Sequence, residues 1–301
     1  MSKISNKKEL DEKDDSRDPI MVSIRCIAYN QEKFIRDTLE GFVMQKTNFR
    51  FEAIVHDDAS TDGTANIIRE YAAKYPDIIK PIIETENQWS KHDGSLHRIM
   101  SDACKGKYIA FCEGDDYWTD PLKLQKQVDI LEANKDISFV HSAFHTIDQD
   151  GNKMDRPVYE KMMRNSPNGY VFMKLYRYGN YILTCTVCMR REVIDCNLLR
   201  DSPLQLDYMT FLIAAYLGKA FYMPEKTAAY RCNPNSLVMA HSKMVDKTLT
   251  DINRYITVLI WKGKIRSRAS TNYLKLYYVA LRKALHYLKE DVKKWIGVGN
   301  N

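Results

Sequence analysis

The amino-acid sequence predicts an α/β fold in which a mostly parallel β-sheet is flanked by helices and followed by a helical C-terminal region. Two observations lead to this class. Over the first half, apolar β-branched segments of strand length alternate with segments whose apolar residues recur at helical spacing. From about residue 241 to near residue 294 the helical spacing continues. The alternating order favours parallel strands, because each helix carries the chain back across the sheet.

The elements of the first half follow one another in a regular order. Predicted strands, each apolar or β-branched, are residues 21–28, 51–56, 78–84, 107–112 and 137–144. Predicted helices run from the Tyr29-Asn30 turn to about residue 45, and over residues 65–75, 96–104 and 121–133. Pro76 ends the second helix, and Pro121 begins the fourth, because proline is tolerated in the first turn of a helix and not beyond it.

The second half is less regular. After Asp148 we expect a hairpin or loop over residues 151–167 and a strand over residues 181–189. A helix over residues 207–217 and one or two short strands over residues 219–230 follow. In the C-terminal helices one apolar stripe is surrounded by basic residues; it consists of Leu274, Tyr277, Leu281, Leu285, Leu288 and Val292.

Composition and charge exclude several classes of protein. Of the 301 residues 45% are hydrophobic and 28% are charged, which is typical of a globular chain. No apolar run reaches the roughly 18 residues of a membrane-spanning helix, and residues 1–19 resemble a disordered lead-in rather than a secretory signal. Residues 247–301 carry a net charge of +9, so the rest sums to −3. This uneven distribution argues against a uniformly basic nucleic-acid binder and for a near-neutral catalytic body with a basic tail.

The seven cysteines are scattered, and their number is odd. This favours reduced thiols over a disulfide framework and agrees with a cytoplasmic location. The pair at Cys185 and Cys188 has the spacing of a redox pair or of half a zinc site. It lies in an apolar run without a second such pair, so we interpret both as buried, unreactive thiols.

Two acidic clusters follow predicted strands, at the sheet edge where α/β proteins bind ligands. The first begins with Asp57 and Asp58 and continues as ASTDGT. Ser60 and Asp62 are typical of a helix N-terminus, but that leaves the adjacent carboxylates of Asp57 and Asp58 without a partner. A ribose hydroxyl or a base N–H is a suitable partner for them.

The second cluster consists of Glu113, Asp115 and Asp116, after the fourth strand. Three carboxylates next to an apolar strand need compensation by a cation or by solvent. Mg²⁺ and Mn²⁺ take oxygen ligands and often bridge carboxylates to phosphates. The spacing alone fits a divalent metal site and a solvated acidic loop equally well.

Three runs of sequence together resemble glycosyltransferase family 2 and its GT-A type nucleotide-sugar-binding fold. They are VSIRCIAYNQEKFIRDTL, DDASTDGT and GKYIAFCEGDDYWTDPLKLQKQVDIL, within residues 21–144. The resemblance implies transfer of a sugar from a nucleotide-diphosphate donor, most often UDP, to a saccharide or lipid-linked acceptor with inversion. Bacterial surface-polysaccharide assembly is the implied context.

The resemblance also implies roles for individual residues. Ala28, Tyr29 and Asn30, together with Asp57 and Asp58, hold the base and ribose of the donor. The metal motif, which holds Mg²⁺ or Mn²⁺ against the donor diphosphate, consists of Glu113, Asp115 and Asp116. Glu113 stands where the family often has aspartate, so a carboxylate is kept.

A catalytic carboxylate is expected from the second half. Asp207 opens the predicted helix 207–217 and is followed downstream by Tyr230-Arg231, as in the family pattern. It is either the general base for the acceptor hydroxyl or the N-cap of its helix. The implied organisation is a nucleotide-sugar half (residues 20–145), an acceptor half (residues 146–240) and a basic helical region (residues 241–301).

Several further residues allow two interpretations each. Lys91, His92 and Arg98 are diphosphate contacts or solvated surface charges. Trp118 stacks on a sugar or packs in the core. Arg231 orients the acceptor or pairs with a carboxylate.

The basic C-terminal helices contact an anionic membrane surface peripherally, or they pack on the catalytic body or on a second subunit of a homo-oligomer. Two rival functions also remain: a nucleotide-sugar pyrophosphorylase, although RCIAYNQEKF lacks the glycine-rich loop expected there, and a non-catalytic nucleotide-sugar sensor or scaffold.

Overall fold

A computed structural model describes residues 19–200, 202, 204, 206–232, 242–266 and 273–295. Within these residues eight strands form one sheet in the order β3-β2-β1-β4-β7-β6-β8-β5. The strands are β1 (Val22–Ala28), β2 (Phe51–Asp57), β3 (Ile79–Ile83), β4 (Tyr108–Phe111), β5 (Tyr117–Trp118), β6 (Ile137–Ile147), β7 (Cys188–Arg190) and β8 (Lys219–Arg231).

The sheet is mostly parallel, as predicted. β1 pairs in parallel with β2 and β4, β2 pairs in parallel with β3, and β6 pairs in parallel with β8. The short strand β7 runs antiparallel between β4 and β6, and β5 runs antiparallel to β8. Because β1, β2 and β4 are parallel, their carboxyl ends meet at one edge, and the two acidic clusters lie there.

Helices cover both faces of the sheet. They are α1 (Ile35–Val43), α2 (Thr64–Lys74), α3 (Ser95–Ala103), α4 (Lys123–Ala133), α5 (Pro157–Arg164), α6 (Phe172–Tyr178), α7 (Arg191–Ile194), α8 (Asn197–Arg200), α9 (Asp207–Leu217), α10 (Ser242–Trp261) and α11 (Tyr273–Trp295). One hydrophobic core lies under α1, α2 and α4 and the other under α3, α6, α9, α10 and α11. Alternate residues of β1 therefore face different cores.

Helix α9 is the central helix of the second core. Its eight residues from Tyr208 to Ala215 are all buried. Ser138 of β6 donates a hydrogen bond to the carbonyl of Ala214 at 2.6 Å. A helix that is apolar on every side must be covered on every side, and this fixes the position of its first residue, Asp207, at the sheet edge.

The second half departs from the predicted secondary structure in three places. Residues 151–167 contain helix α5, which begins at Pro157 and buries Met163, where a hairpin or loop was expected. The predicted strand 181–189 is a 3₁₀ turn, Thr184–Thr186, followed by the short strand β7. The region 219–230 is one long strand, and a register shift at Pro224 accommodates the proline.

Cysteine burial agrees with the interpretation of unreactive thiols. All seven cysteines are free, and Cys26, Cys104, Cys112, Cys185 and Cys188 are buried. Burial raises the pKa of Cys188 to about 12, which disfavours the reactive thiolate form.

The C-terminal prediction of helix is confirmed for the described residues, and the predicted stripe is divided: Tyr277 packs against the core, whereas its three described leucines do not. Leu276, Val279 and Ala280 are buried in their place, and Leu281, Leu285 and Leu288 are exposed. Residues 1–18 of the predicted lead-in and the side chains of Leu274 and Val292 lie outside what the structure describes. In the described part of the chain, no helix combines the length and apolarity that crossing a membrane requires.

Candidate active site

Asp57 ends β2 and Asp58 follows it, and the two differ in how their oxygens are used. Both are 1% exposed. Asp58 accepts hydrogen bonds from the backbone N–H groups of Gln88 at 2.6 Å and Trp89 at 3.0 Å, one on each oxygen. Asp57 accepts one from the backbone N–H of Ser60 at 3.1 Å, and its Oδ1 is buried without a protein partner. A buried carboxylate oxygen in this state is costly unless a ligand or water donates to it.

Polar side chains join the turn after β1 to the turn after β2. Asn30, with φ of +52°, accepts a hydrogen bond from the backbone N–H of Thr61 at 2.8 Å, and its own N–H donates to Ser60 Oγ at 2.9 Å. Asp62 accepts from the N–H of Glu32 at 3.1 Å. The left-handed backbone at Asn30 is well suited to asparagine. The two turns therefore form one fixed unit, from which the ring of Tyr29 extends and is 49% exposed.

The acidic turn after β4 lies against this unit. Thr38, buried on α1, donates to the carbonyls of Gly114 at 3.0 Å and Asp116 at 2.7 Å. A Cβ at Gly114 would lie 2.1 Å from Gln31 Oε1 and 3.0 Å from the Cβ of Ala28. The glycine is needed because the turn packs directly on the end of β1.

Arg231, at the end of β8, holds the same turn from the other side. Its backbone N–H donates to Asp116 Oδ1 at 2.8 Å, and its Nε donates to the carbonyl of Asp115 at 2.9 Å. Its Nη2 pairs with Asp37 Oδ2 at 3.1 Å, and its guanidinium lies 4.5 Å from the ring centroid of Phe34. Of the two interpretations offered for Arg231, the carboxylate pair is the one observed.

The three carboxylates of the turn are not equivalent. Burial, and next the negative charge of Asp207, raise the pKa of Glu113 to about 8. Burial raises the pKa of Asp115 as well. Burial and the charge of Asp115 raise the pKa of Asp116 well above its usual range, and Asp116 is only 5% exposed. Glu113 and Asp115 are partly exposed and so remain accessible to a ligand.

Asp207 reaches this cluster from the opposite half of the chain. It is the first residue of α9, and the N-cap position belongs to Leu206, so Asp207 does not cap its own helix. Its Oδ2 accepts a hydrogen bond from Thr184 Oγ1 at 3.0 Å. Because the charge of Asp207 raises the pKa of Glu113, the two carboxylates share one electrostatic environment.

The donor set suits a hard divalent cation. Glu113 and Asp115 offer carboxylate oxygens, and their raised pKa values mean that a positive charge nearby would stabilise the ionised forms. Among the residues that the structure describes, no three His, Cys, Asp or Glu side chains form a ready-made metal-binding group. The arrangement fits a cation of the kind that one or two carboxylates share with substrate phosphates.

The other sequence-predicted residues have protein partners of their own or lie inside the core. Arg98 donates to the carbonyl of Asp93 at 2.7 Å, and Lys91 donates to Gln88 Oε1 at 3.0 Å. His92, next to Lys91, ends the 3₁₀ turn Trp89–Lys91 with φ of +52°. Trp118 is 1% exposed and donates to the carbonyl of Cys185 at 2.9 Å. Of the two interpretations of Trp118, packing in the core is therefore the one observed.

Sequence reasoning missed Thr38 and Thr184. In each case the threonine hydroxyl donates a hydrogen bond to a residue of another part of the chain. The partner lies 76 residues from Thr38 and 23 residues from Thr184. Because the partners are distant along the chain, no local pattern in the sequence pointed to either threonine.

Comparison with known proteins identifies the family. The family model described as Glycosyl transferase family 2 matches residues 23–198. The Mycobacterium tuberculosis protein Rv1520, described as uncharacterized, is 35% identical over 229 residues, which are 75% of this chain and 62% of that protein. This chain thus spans less than two thirds of the length of that relative.

Two further proteins are similar over most of the chain. The Bacillus subtilis protein TuaG, described as a putative teichuronic acid biosynthesis glycosyltransferase, is 28% identical over 76% of this chain and 85% of its own length. The crystal structure of S. aureus TarS in complex with UDP-GlcNAc superposes with a TM-score of 0.62 at 16% identity, over 88% of this chain and 72% of that one. The predicted GT-A fold class is confirmed, and the chain belongs to glycosyl transferase family 2.

Proposed function

We propose that this chain is a glycosyltransferase that moves a sugar from a nucleotide-diphosphate donor, a UDP-sugar, to an acceptor hydroxyl with inversion. The observation that carries the proposal is the grouping of three acidic elements at one edge of the sheet. They are the open oxygen of Asp57, the partly exposed carboxylates of Glu113 and Asp115, and Asp207 from the opposite half. Membership of the family supports the reaction class.

The donor nucleotide binds at the unit formed by the turns after β1 and β2. Asp57 Oδ1 accepts a hydrogen bond from a base N–H or a ribose hydroxyl, because burial leaves it without another donor. Ala28 and Asn30 supply the fixed backbone of the pocket, and the exposed ring of Tyr29 offers a face for the base. Asp58 acts indirectly, since both of its oxygens hold the backbone of residues 88–89.

Glu113 and Asp115 would hold Mg²⁺ or Mn²⁺ together with the donor diphosphate. A bound cation would neutralise the charge that develops on the leaving diphosphate. Asp116 keeps the turn in place through Arg231. Arg98 remains a weaker proposal for a diphosphate contact, because its guanidinium is engaged with Asp93.

Asp207 takes the proton from the acceptor hydroxyl. An inverting displacement needs a base on the face of the sugar opposite the leaving group, and one carboxylate suffices because no covalent intermediate forms. Thr184 orients this carboxylate by donating to Oδ2, which leaves Oδ1 for the acceptor.

The similar proteins support the finer assignments. The bound UDP-GlcNAc in TarS favours a UDP-sugar, and the description of TuaG favours a role in polysaccharide biosynthesis with a saccharide or lipid-linked acceptor. The seven free cysteines fit the reducing cytoplasm, where we place the reaction.

A donor panel tests the proposal. Binding and release of nucleoside diphosphate are measured with UDP-, GDP- and dTDP-sugars in the presence of Mn²⁺, Mg²⁺ or EDTA. We expect one UDP-sugar to bind and to be hydrolysed slowly, and EDTA to abolish both. Cleavage between the two phosphates of the donor would favour a pyrophosphorylase. Donor binding without turnover, whichever acceptor is added, would favour a sensor. No binding to any donor would overturn the proposal.

A further inference from the structure

Exposed apolar side chains run along one side of α11 and continue onto the end of α10. On α11 they are Tyr278, Leu281, Leu285 and Leu288, between 45% and 60% exposed. On α10 they are Val258 and Trp261, which are 45% and 50% exposed. These six residues are called the apolar strip.

The apolar strip lies on the side of the two helices that is turned away from the core. At about 100° per residue, Leu276, Val279 and Ala280 define the buried side of α11, and the strip centres nearly opposite to them. Trp261 connects the helices, because its ring packs edge-on against Tyr277 with centroids 5.5 Å apart. The helices therefore hold one apolar face to the body and present another to the surroundings.

Basic residues border the apolar strip. Arg282 and Lys289 are exposed on α11 and lie roughly 70–95° around the helix from the mean direction of the three leucines. Lys262, Lys264 and Arg266 are exposed directly after Trp261. Among the nearby acids, Asp291 is engaged by Arg254 at 2.7 Å. Residues 247–301 carry a net charge of +9, so the strip lies in a strongly positive region.

We propose that the apolar strip and its basic border dock on an anionic lipid bilayer, with α11 parallel to the membrane surface. A narrow apolar face bordered by Lys and Arg, with Trp and Tyr between the two, is the pattern of an interfacial helix. The alternative occupant is a second copy of the chain. Two copies would bring two regions of like charge together, so an anionic surface is the better match.

Vesicle co-sedimentation of the full chain tests the proposal without a sugar donor, so its outcome does not depend on the proposed function. Vesicles of phosphatidylcholine with 30% phosphatidylglycerol are compared with phosphatidylcholine alone. We expect binding to the anionic vesicles only, and at least a tenfold loss of binding in 0.5 M NaCl, where the Debye length falls to about 4 Å.

Two variants separate the apolar and the electrostatic contributions. Leu281→Gln/Leu285→Gln removes apolar area, and Arg282→Gln/Lys289→Gln removes two charges; each is expected to weaken vesicle binding about tenfold or more. The matched controls are Leu122→Gln/Val158→Gln and Lys135→Gln/Lys161→Gln, which alter residues equally exposed elsewhere. The controls are expected to bind like the wild type.

Two results would overturn the proposal. Equal binding of Leu281→Gln/Leu285→Gln and wild type would remove the apolar strip from the interface. A wild-type dimer in light scattering that the same variant converts to monomer, with no vesicle binding by either, would assign the strip to a second copy. Circular dichroism and thermal unfolding establish that each variant is folded.

Discussion

The proposed donor side and the proposed acceptor side of the candidate site are built in different ways. On the donor side, Asn30, Asp58 and Asp62 each bind backbone N–H groups of a neighbouring turn, so several hydrogen bonds fix the pocket. On the acceptor side, the carboxylate of Asp207 is held by the hydroxyl of Thr184 on a 3₁₀ turn. A preformed pocket can bind the nucleotide, because many donors share the same nucleotide. On the acceptor side, fewer fixed contacts surround the catalytic carboxylate of Asp207.

The two sides meet at Glu113. Its pKa is raised by burial and by the charge of Asp207, although Glu113 follows β4 and Asp207 begins α9. Substitutions on the donor side should therefore change donor binding, and substitutions on the acceptor side should change turnover.

The largest effect is expected for Asp207→Asn. Loss of the base should lower kcat by about 10³-fold, and the dissociation constant of the donor should stay within a factor of two, because the donor contacts lie elsewhere. Steady-state kinetics and donor titration measure both quantities. Asp102→Asn, an exposed carboxylate on α3, is the control. A parallel loss of donor binding would show that the two sides are not separable.

Arg231→Gln is expected to affect both sides through stability. The buried guanidinium donates to Asp115, Asp37 and the 148–149 turn, so its removal should lower the free energy of unfolding by about 3 kcal/mol. Urea unfolding measures the change. Arg36→Gln removes an exposed pair with Glu70 and should have little effect. Equal stability of both variants would contradict the role given to Arg231.

The sequence predicted the donor side better than the acceptor side, for a physical reason. The parallel strands and the acidic turns are local patterns, so Asp57, Asp58 and Glu113 were placed at the sheet edge correctly. Arg231 and Thr184 act across 116 and 23 residues, and such contacts exist only once the sheet has formed.

Local sequence pattern also failed where it indicated burial correctly but the secondary structure incorrectly. The alternating apolar run at residues 181–189 reflects buried positions around a 3₁₀ turn and not one strand. In α11, the helical spacing of Leu281, Leu285 and Leu288 was visible, but the pattern could not distinguish a face packed on the core from one that is exposed. The division into three regions and the roles of the site residues remain predictions.

Asp57→Asn and Asp58→Asn should separate an effect on donor binding from an effect on the stability of the fold. Asp57 has an open oxygen, so its substitution should weaken donor binding about tenfold and leave stability nearly unchanged. Asp58 uses both oxygens on backbone N–H groups, so its substitution should lower the free energy of unfolding by roughly 1–3 kcal/mol. Calorimetric titration and urea unfolding measure the pair. The reverse pattern would move the nucleotide contact from Asp57 to Asp58.

Thr184→Val tests how Asp207 is positioned. Valine keeps the shape and removes the donor to Oδ2, so kcat should fall about fivefold with donor affinity unchanged. Thr184→Ser keeps the hydroxyl and should restore most of the rate, which a purely steric role would not produce. Kinetics at saturating donor provide the comparison. If the valine and serine variants are equally slow, the hydrogen bond is not the reason.

The effect of Glu113→Gln on stability is expected to grow as the pH rises. In the metal-free protein burial raises the pKa of Glu113 from 4.5 to about 8, so the folded chain keeps a proton that the unfolded chain releases. The stabilisation by this proton is complete below pH 4.5 and is lost as pH rises through 8. The glutamine variant should therefore gain in melting temperature over wild type between pH 5 and 9 in EDTA.

Glu132→Gln provides a control of opposite sign. Lys107 donates to Glu132 and lowers its pKa, so the wild type should be favoured above pH 4.5 and should lose that advantage as pH falls. Added Mn²⁺ should reverse the advantage of Glu113→Gln, because a cation favours the ionised carboxylate. A difference between Glu113→Gln and wild type that does not vary with pH would contradict the raised pKa of Glu113, on which the electrostatic link between the two sides rests.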